Sequence, residues 1–275
     1  MMRTKRLRNR ASPILTYVAM SVLVGLPLLA MLPLPHSPTE PDTTMIGTPP
    51  SLLHWFGTDS LGMDVYSRTI AAGAVDLPIS IAATVLALVV GVPLGLFATS
   101  GRVGDAVLRV VDAFAALPMI VIAVVAIQLM GGGETDVILA IAIVGAPRFV
   151  RLTRASAIHL RHSRYVEAAI ATGCSPMRVA FNHIFRNAYG VVLVQATLTA
   201  AQALGAIAAL NFLGVGRRPP LPSWGGMIDD GATMLIDGDW WAAAFPSLVI
   251  LLVIASLNIV AGALENKIER VETGR

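Results

Sequence analysis

Charged residues are absent from five long stretches of this sequence, and their absence constrains the fold more than any other feature. The stretches are residues 11–39, 77–101, 113–133, 188–216 and 240–264. A helix crosses the ~30 Å hydrocarbon core of a bilayer with about 20 apolar residues, so each stretch is long enough to span a membrane. Only 13% of the 275 residues are charged, against about a quarter in a soluble domain. We therefore predict an all-α protein that crosses a membrane several times.

A sixth uncharged stretch, Val137–Pro147, is too short to span a bilayer by itself. It spans only if its helix continues through Arg148 to Leu152, with the side chains of Arg148 and Arg151 reaching water or facing a cavity. With six spans and a cytoplasmic N-terminus, 17 of the 20 Lys and Arg residues lie on the cytoplasmic side, in agreement with the positive-inside rule. Without the short span, the seven arginines from Arg148 to Arg186 would lie outside. We predict six transmembrane helices with both chain ends in the cytoplasm.

The predicted organisation follows from these spans. A basic cytoplasmic N-terminus (1–13) precedes a first span (14–33) and an outer loop (34–76). A core of five further spans (77–264) and a cytoplasmic tail (265–275) follow. The core contains a cytoplasmic loop at 148–187. Because no small-x-small cleavage site follows the first apolar run, we expect an uncleaved span rather than a signal peptide.

The end of the outer loop mixes apolar and charged residues from Met63 onward. This mixture predicts an interfacial helix at the membrane surface that leads into the second span. Thr58 or Asp59, in the turn before this helix, is expected to cap it.

Two residue sets within the predicted helices have a regular spacing. Gly91 and Gly95 are four residues apart, which either allows a close approach of two helix backbones or reflects the ordinary tolerance of glycine in membrane helices. Asp105, Arg109 and Asp112 lie on one helical face, so two carboxylates can flank one guanidinium. We interpret the second set as a structural clamp; a proton relay has less support.

A long polar stretch in the predicted cytoplasmic loop reads YVEAAIATGCSPMRVAFNHIF. Ser163 can cap a helix that begins at the next residue, and Gly173 suits the left-handed position that ends a helix. Ser175 then caps a second helix, with Pro176 in its first turn. The pattern predicts a helix, a glycine stop and a second helix on the inner face.

The first of these two short helices carries an unusual set of side chains. Ala168 and Ala169 are small, so another surface could approach them closely. Tyr165, Val166 and Ile170 are apolar side chains that could anchor a partner, and Glu167 adds one negative charge. Apolar groups in a cytoplasmic loop mark an interface or invite aggregation. Two interpretations stay open on physical grounds, namely that another protein binds this helix or that the loop packs back on its own spans.

Several kinds of chemistry have no support in the sequence. A phosphate-binding loop requires G-x-x-x-x-G-K-[ST], and the only two lysines, Lys5 and Lys267, lie in no such context. A recognisable nucleophile–base pair is also missing, which argues against an enzyme. The net charge of +3 reflects membrane topology, so we expect lipid and no nucleic acid as a partner. The single cysteine, Cys174, cannot form an intramolecular disulfide.

Histidine and tryptophan add two further expectations. His159 and His162 could share a metal, but they lie among arginines without a nearby carboxylate, so we expect a solvated face and no metal site. Trp224, Trp240 and Trp241 flank the last outer loop and are expected to form an interfacial aromatic belt.

Motifs in four places carry a resemblance to a known family. Glu167–Gly173 reads E-A-A-x-x-x-G and is followed by HIF-RN at His183–Asn187; it resembles the EAA signature of ABC importer permeases. Three other stretches resemble further segments of that family, in the same order. They are FGTDSLGMDVYSR at Phe56–Arg68, GVPLGLFATSGRVGDAVLRVVDAFAALP, and PSWGGMIDDG at Pro222–Gly231. Together they resemble the C-type permeases of dipeptide, oligopeptide and nickel importers.

This resemblance implies a type I ABC importer permease fold with six transmembrane helices and a cytoplasmic coupling helix. It implies that residues 165–170 and Gly173 dock in a cleft on a separate ATPase subunit. The partners would be a homologous B-type permease, two ATPase modules in one or two chains, and an extracytoplasmic substrate-binding protein. ATP and Mg²⁺ would bind to the ATPase subunits, and this chain would bind no cofactor. The expected location is the bacterial inner membrane.

The resemblance leaves the cargo open. A short peptide is the expected substrate, and a nickel chelate or another small solute is the alternative; the cavity lining is not assigned. A transporter or channel without an ATPase belongs to a different class and would need an ionisable residue well inside a span. The polar residues there are neutral: Gln128, Gln195, Gln202 and Asn258.

The sequence departs from the family pattern in three places. Met63 replaces the usual Arg of G-R-D, and Val75–Asp76 stands where many relatives have an Arg. Phe185–Arg186 replaces a Leu-Pro pair. We expect the helix after the cytoplasmic loop to continue into the fifth span without a proline kink.

Overall fold

The computed structural model describes residues 12–99, 101–161 and 163–273. Within these ranges the protein is helical, and its ten α-helices are α1 Pro13–Leu29, α2 Val65–Phe97, α3 Gly101–Ala115, α4 Met119–Met130, α5 Glu134–Arg161, α6 Arg164–Ala171, α7 Pro176–Arg178, α8 Arg186–Phe212, α9 Trp224–Met234 and α10 Trp241–Thr273. A π-helical segment, Val179–Phe185, joins α7 to α8, and a 3-10 turn, Leu235–Asp237, follows α9. The basic residues of the predicted N-terminal segment lie outside the described residues.

Three helices are long and apolar enough to cross a membrane: Val65–Phe97, Pro176–Phe212 and Trp241–Arg270. A bent pair of helices adds a fourth candidate if it counts as one span. The predicted number of six stays a prediction, because α1 has only 17 residues and α5 carries four arginines.

The bent pair corrects the prediction for the third span. The uncharged stretch 113–133 does not form one helix, since α3 ends at Ala115 and α4 begins at Met119, with an angle of 95° between the two helices. Pro118 is the N-cap of α4. Proline lacks a backbone N–H and disfavours helical geometry in the residue before it, so the bend falls where the sequence breaks the helical hydrogen bonding.

The helix of the short stretch Val137–Pro147, α5, continues through Arg148 to Arg161 without a break, as it must if this stretch is to span a membrane. This helix packs closely against α2 at two glycines. A Cβ atom on Gly91 would lie 2.7 Å from the carbonyl oxygen of Ala146, and one on Gly95 would lie 2.6 Å from that of Val150. The close-approach interpretation of these glycines is therefore confirmed.

The start of α2 differs from the predicted interfacial helix. One continuous helix begins at Val65, and its first turns are buried. Its cap is Asp64, whose Oδ2 accepts the backbone N–H of Ser67 at 2.7 Å. Asp59 instead accepts the N–H groups of a preceding turn, and Thr58 forms an isolated bridge with Asp64. The predicted cap is therefore wrong, because Asp64 takes this role. The segment between α1 and α2 (residues 30–64, here called the outer segment) folds over the start of α2 and buries it, and the position of this start at the membrane surface stays a prediction.

A buried arginine anchors the outer segment to α2. Arg68 Nε lies 3.2 Å from Asp59 Oδ2, and Nη1 donates to the carbonyl oxygens of Pro38 at 2.9 Å and Pro220 at 3.1 Å. Met63, one of the departures from the family pattern, is buried and places its sulfur against the same Nη1. Burial raises the pKa of Asp59, and the nearby guanidinium opposes that rise.

The predicted aromatic belt is wrong for two of its three members. The Trp224 side chain is completely buried, and its indole N–H donates to the carbonyl oxygen of Thr69 at 2.9 Å. The Trp241 indole is also buried and donates to the carbonyl oxygen of Thr58 at 3.1 Å. Trp240 alone is mostly exposed. The two buried indoles join α9 and α10 to the outer segment and α2, because a buried indole N–H needs an acceptor.

The helix after Ser175 is continuous, as predicted from the missing Leu-Pro pair. It runs from Pro176 to Phe212 and passes through Phe185–Arg186 in the π-helical segment and its junction with α8. α7, the π-helical segment and α8 therefore form one continuous helix, which begins after α6.

Candidate docking site for a partner protein

The corner between α5 and α8 begins with α6, whose start agrees with the prediction. Ser163 has an extended backbone, and its carbonyl oxygen accepts the N–H groups of Val166 and Glu167, each at 3.0 Å. Its hydroxyl, however, donates to the carbonyl of Leu160 and does not cap α6. The main chain of Ser163 therefore starts the helix without the predicted side-chain bond.

The end of α6 is a Schellman motif. Gly173 has φ = +82°, donates its N–H to the carbonyl of Ile170 at 2.9 Å, and is followed by Cys174, which donates to the carbonyl of Ala169 at 3.1 Å. This pair of hydrogen bonds requires a left-handed residue, which glycine adopts without steric cost. The predicted glycine stop is confirmed.

The second helix of the corner also begins as predicted. The Ser175 side chain accepts the backbone N–H of Arg178 at 3.4 Å, and Pro176 is the first residue of α7. The two short helices therefore form a turn whose shape is set by local hydrogen bonds.

One face of α6 is buried against the protein's own helices. Val166 is 0% and Ala169 is 7% exposed, and both belong to a core cluster that includes Ala157 of α5, Val179 of the π-helical segment and Val192 of α8. The prediction that Val166 and Ala169 offer their side chains to a partner is therefore wrong for this chain. The packing interpretation holds for this face, because the 3.6-residue period places both residues on the inner side of α6.

The opposite face of α6 is open. Tyr165 is 40% and Ile170 is 52% exposed, and Glu167 and Ala168 lie on the same exposed side. Among the described ion pairs, none involves Glu167. This face therefore presents two large apolar side chains, one small residue and one carboxylate to the surroundings.

An apolar cavity lies beside this exposed face. It has a volume of about 390 Å³, and residues of α2, α5, α6 and the π-helical segment line it: Phe97, Arg161, Ile170, Cys174, Val179 and Ile184 among them. Ile170 thus belongs to both the open face and the cavity wall.

In the predicted clamp on α3, Asp112 pairs with an arginine of another helix. Asp112 Oδ1 accepts from Arg151 Nη2 of α5 at 2.9 Å. In the part of the chain that the structure describes, Arg109 forms no ion pair with Asp105 or Asp112. The three residues of the predicted clamp do lie on one helix, but α5 packs on α3 and its Arg151 binds Asp112. Arg154 of α5 likewise donates to the carbonyl of Ala98 at 2.7 Å, so this end of α5 is held at two points.

A second cavity, which we call the outer cavity, lies at the other end of the helices and has a volume of about 400 Å³. Its polar lining residues come from α2, α4, α5, α8 and the loop that follows α8: Asp76, Gln128, Glu134, Asn211, Arg217 and Arg218. Arg217 Nε donates to Glu134 Oε1 at 2.8 Å, and Asp76 Oδ2 accepts the backbone N–H of Trp224 at 2.9 Å. Sequence spacing could not identify this group, because its members are brought together only by the fold.

The remaining histidine prediction concerns α5. His159 is exposed on this helix, as expected for a solvated face. His162, its proposed neighbour, lies outside the described residues.

Long apolar helices, with a short amphipathic helix fixed at the corner between two of them, define a multi-pass permease subunit of a membrane transport system. The chain belongs to the family of binding-protein-dependent transport system inner membrane components, which matches residues 87–270. It is therefore a multi-pass protein of the inner membrane, as predicted.

The chain is similar to several permease proteins over most of its length. A di/tripeptide transport system permease protein, DppC, of Pseudomonas aeruginosa is 35% identical over 258 residues, or 91% of this chain and 85% of that protein. The dipeptide transport system permease protein DppC of Bacillus subtilis is 31% identical, with 93% of this chain and 79% of that protein covered. The probable D,D-dipeptide transport system permease protein DdpC of Escherichia coli is 32% identical, with 94% and 88% covered.

A solved structure shares the fold. A chain of the MetNI methionine ABC transporter in an inward-facing conformation superposes with a TM-score of 0.56 over 71% of this chain and 92% of that chain, at 20% sequence identity. The all-α permease fold predicted from the EAA-like motif is confirmed.

Proposed function

We propose that this chain is a permease subunit of an ATP-driven importer of short peptides and forms the transport pathway with a homologous B-type permease. The open face of α6 is the observation that carries the proposal. Val166 and Ala169 fix this helix to the core, while Tyr165, Glu167 and Ile170 stay available to another protein. The peptide cargo is supported by the names of the three relatives, each of which is a dipeptide or di/tripeptide permease.

ATPase modules on the cytoplasmic side would bind the open face of α6. Two such modules, in one or two chains, would hold ATP and Mg²⁺, and this subunit would bind neither. Their closure on ATP moves α6, and the packed side chains beneath it transmit the movement because a close-packed core deforms little. Both chain ends would then lie in the cytoplasm.

The continuous helix after the corner would carry this movement across the membrane. The continuous helix from Pro176 to Phe212 begins shortly after α6, and its last turn contains Asn211, which lines the outer cavity. A rigid-body tilt of this helix changes the cytoplasmic corner and the outer cavity together, as alternating access requires.

The outer end would receive cargo from an extracytoplasmic substrate-binding protein that contacts residues 34–76 and 214–239. Carboxylates, amides and guanidinium groups all line the outer cavity. Such a mixed lining suits a short peptide, because a free peptide carries an ammonium group at one end and a carboxylate at the other.

Copurification with an ATPase tests this proposal. The Glu167→Lys variant should lose the ATPase subunit during mild solubilisation and should lose peptide uptake, while membrane insertion is unchanged. Asp105→Lys is the matched control, since Asp105 is also an exposed acid but belongs to a different helix, α3. Retention of the ATPase and of uptake by Glu167→Lys would exclude this face as the docking site.

A further inference from the structure

Three potential metal ligands from distant positions meet in the outer segment. His36, His54 and Asp64 each offer one ligand atom, and these atoms all lie within 4.8 Å of one another. His54 and Asp64 are buried, and His36 is half-buried. Asp64 caps α2, and His36 lies shortly after the end of α1. Different parts of the fold therefore hold the members of this cluster.

Hydrogen bonds orient the two imidazole rings of this cluster. His36 Nε2 lies 3.0 Å from the carbonyl oxygen of Leu53. A carbonyl only accepts, so His36 Nε2 carries the proton and Nδ1 of the neutral ring keeps a free lone pair. A metal-bound histidine commonly donates its other ring N–H to a backbone carbonyl in this way. The His36 ring is therefore oriented for coordination.

The other two residues already form a pair. His54 Nδ1 lies 2.9 Å from Asp64 Oδ1, while Asp64 Oδ2 is held by the N–H of Ser67 at 2.7 Å. The rings of His36 and His54 lie with their centroids 4.4 Å apart. Among the hydrogen bonds of the described residues, none joins the His36 ring to His54 or Asp64. The contact between His54 and Asp64 therefore does not account for the position of the His36 ring beside them.

The distances suit a small metal ion after a limited adjustment. Two atoms bound to a tetrahedral zinc ion at about 2.1 Å lie about 3.4 Å apart, so the widest pair in this cluster has to approach by at most about 1.4 Å. The half-buried position of His36 leaves room for the side-chain rotation that this requires.

We propose that His36, His54 and Asp64 form a binding site for one divalent transition-metal ion. Two imidazoles and one carboxylate favour zinc, cobalt or nickel over calcium and magnesium, which prefer oxygen ligands. Three protein ligands leave one position of a tetrahedral ion for water or another ligand. The prediction of no metal site considered His159 and His162 alone. His36, His54 and Asp64 are separated by 18 and 10 positions and form no local motif that would indicate a site.

A bound ion would connect the exit of α1 to the start of α2. His36 follows the end of α1 at Leu29, and Asp64 caps α2 at Val65. The ion would replace a hydrogen-bonded contact between these parts by coordination bonds and would stabilise the folded outer segment by binding to it alone. The site does not depend on peptide transport or on α6.

Cobalt and zinc titrations test the site directly. The full-length chain, purified in detergent with a histidine-free affinity tag and stripped with a chelator, should bind one ion per chain. Cobalt should give the visible absorption of a tetrahedral complex, and zinc should raise the thermal unfolding temperature.

The variants His36→Gln and His54→Gln should weaken binding by more than about tenfold, since even outer partners of a metal site contribute that much. His159→Gln is the control, because His159 is exposed on α5. His36→Gln retains an amide donor for the Leu53 carbonyl, so it is the informative variant if His54→Gln does not fold. Absence of saturable binding to the wild type, or unchanged binding by His36→Gln, would overturn the proposal.

Discussion

The carbonyl oxygen of Ala169 accepts the backbone N–H of Cys174 at 3.1 Å, and this hydrogen bond closes the end of α6. Ala169 is at the same time buried against the core. The bond therefore fixes both the length of α6 and the face that it turns outward. A helix of only eight residues is marginal by itself, so its end cap and its buried face together make it a defined surface for a partner.

Gly173 should tolerate Asn better than Ala or Val. Its φ of +82° costs a residue with a Cβ atom about 1–2 kcal/mol, and Asn tolerates this region better than other residues. No atom lies within 4 Å of a Cβ placed there, so the loss has a backbone origin. Peptide uptake and ATPase retention should fall in the order Gly, Asn, Ala, Val. Equal uptake by Gly173→Val and the wild type would show that the helix end need not be fixed.

Gly95→Ala should destabilise the protein through the contact between α2 and α5. The new methyl group would lie 2.6 Å from the carbonyl oxygen of Val150 and 2.8 Å from Thr153 Cβ, and overpacking of this kind typically costs about 1–3 kcal/mol. Thermal unfolding in detergent measures the effect. Gly262→Ala in α10 is the control, since no atom lies within 4 Å of a Cβ there. A Gly95→Ala variant as stable as this control would contradict the close approach of α2 and α5.

Trp224→Phe should destabilise the outer segment more than Trp240→Phe. The Trp224 indole N–H donates to the carbonyl of Thr69, and its removal deletes a buried hydrogen bond at a cost of about 0.5–1.5 kcal/mol. Trp240 is mostly exposed, so its replacement should change the stability by less than about 0.5 kcal/mol. Chemical denaturation of both variants provides the comparison. Equal losses of stability in the two variants would contradict the buried position of Trp224 and would support the predicted interfacial position.

The parts of the fold that the sequence could predict depend on local signals. The helix, glycine stop and helix of the corner follow from Ser163, Gly173 and Pro176, which act within a few residues of their own positions. Gly91 and Gly95 likewise indicate a close contact by their spacing, although the sequence did not tell which helix makes it. The continuation of α5 was predicted from charge topology.

The parts that sequence reasoning missed depend on contacts between distant segments. Asp112 is paired by Arg151, 39 positions away, and nothing near Asp112 indicates this partner. Trp224 is buried because Thr69 and Asp76 bind its two N–H groups, whereas an isolated tryptophan near a span suggests an interface. Pro118 was a local signal that the apolar composition of the third stretch obscured.

Disulfide trapping of α6 against an ATPase subunit tests the central claim most directly. In a Cys174→Ser background, single cysteines at Glu167, Ala168 and Ile170 should cross-link to a cysteine in the ATPase cleft. Val166→Cys, whose side chain faces the core, should not. Trapping at the three exposed positions without trapping at Val166 is the predicted result. Failure of all three exposed positions, with cysteines placed throughout the cleft, would contradict the account.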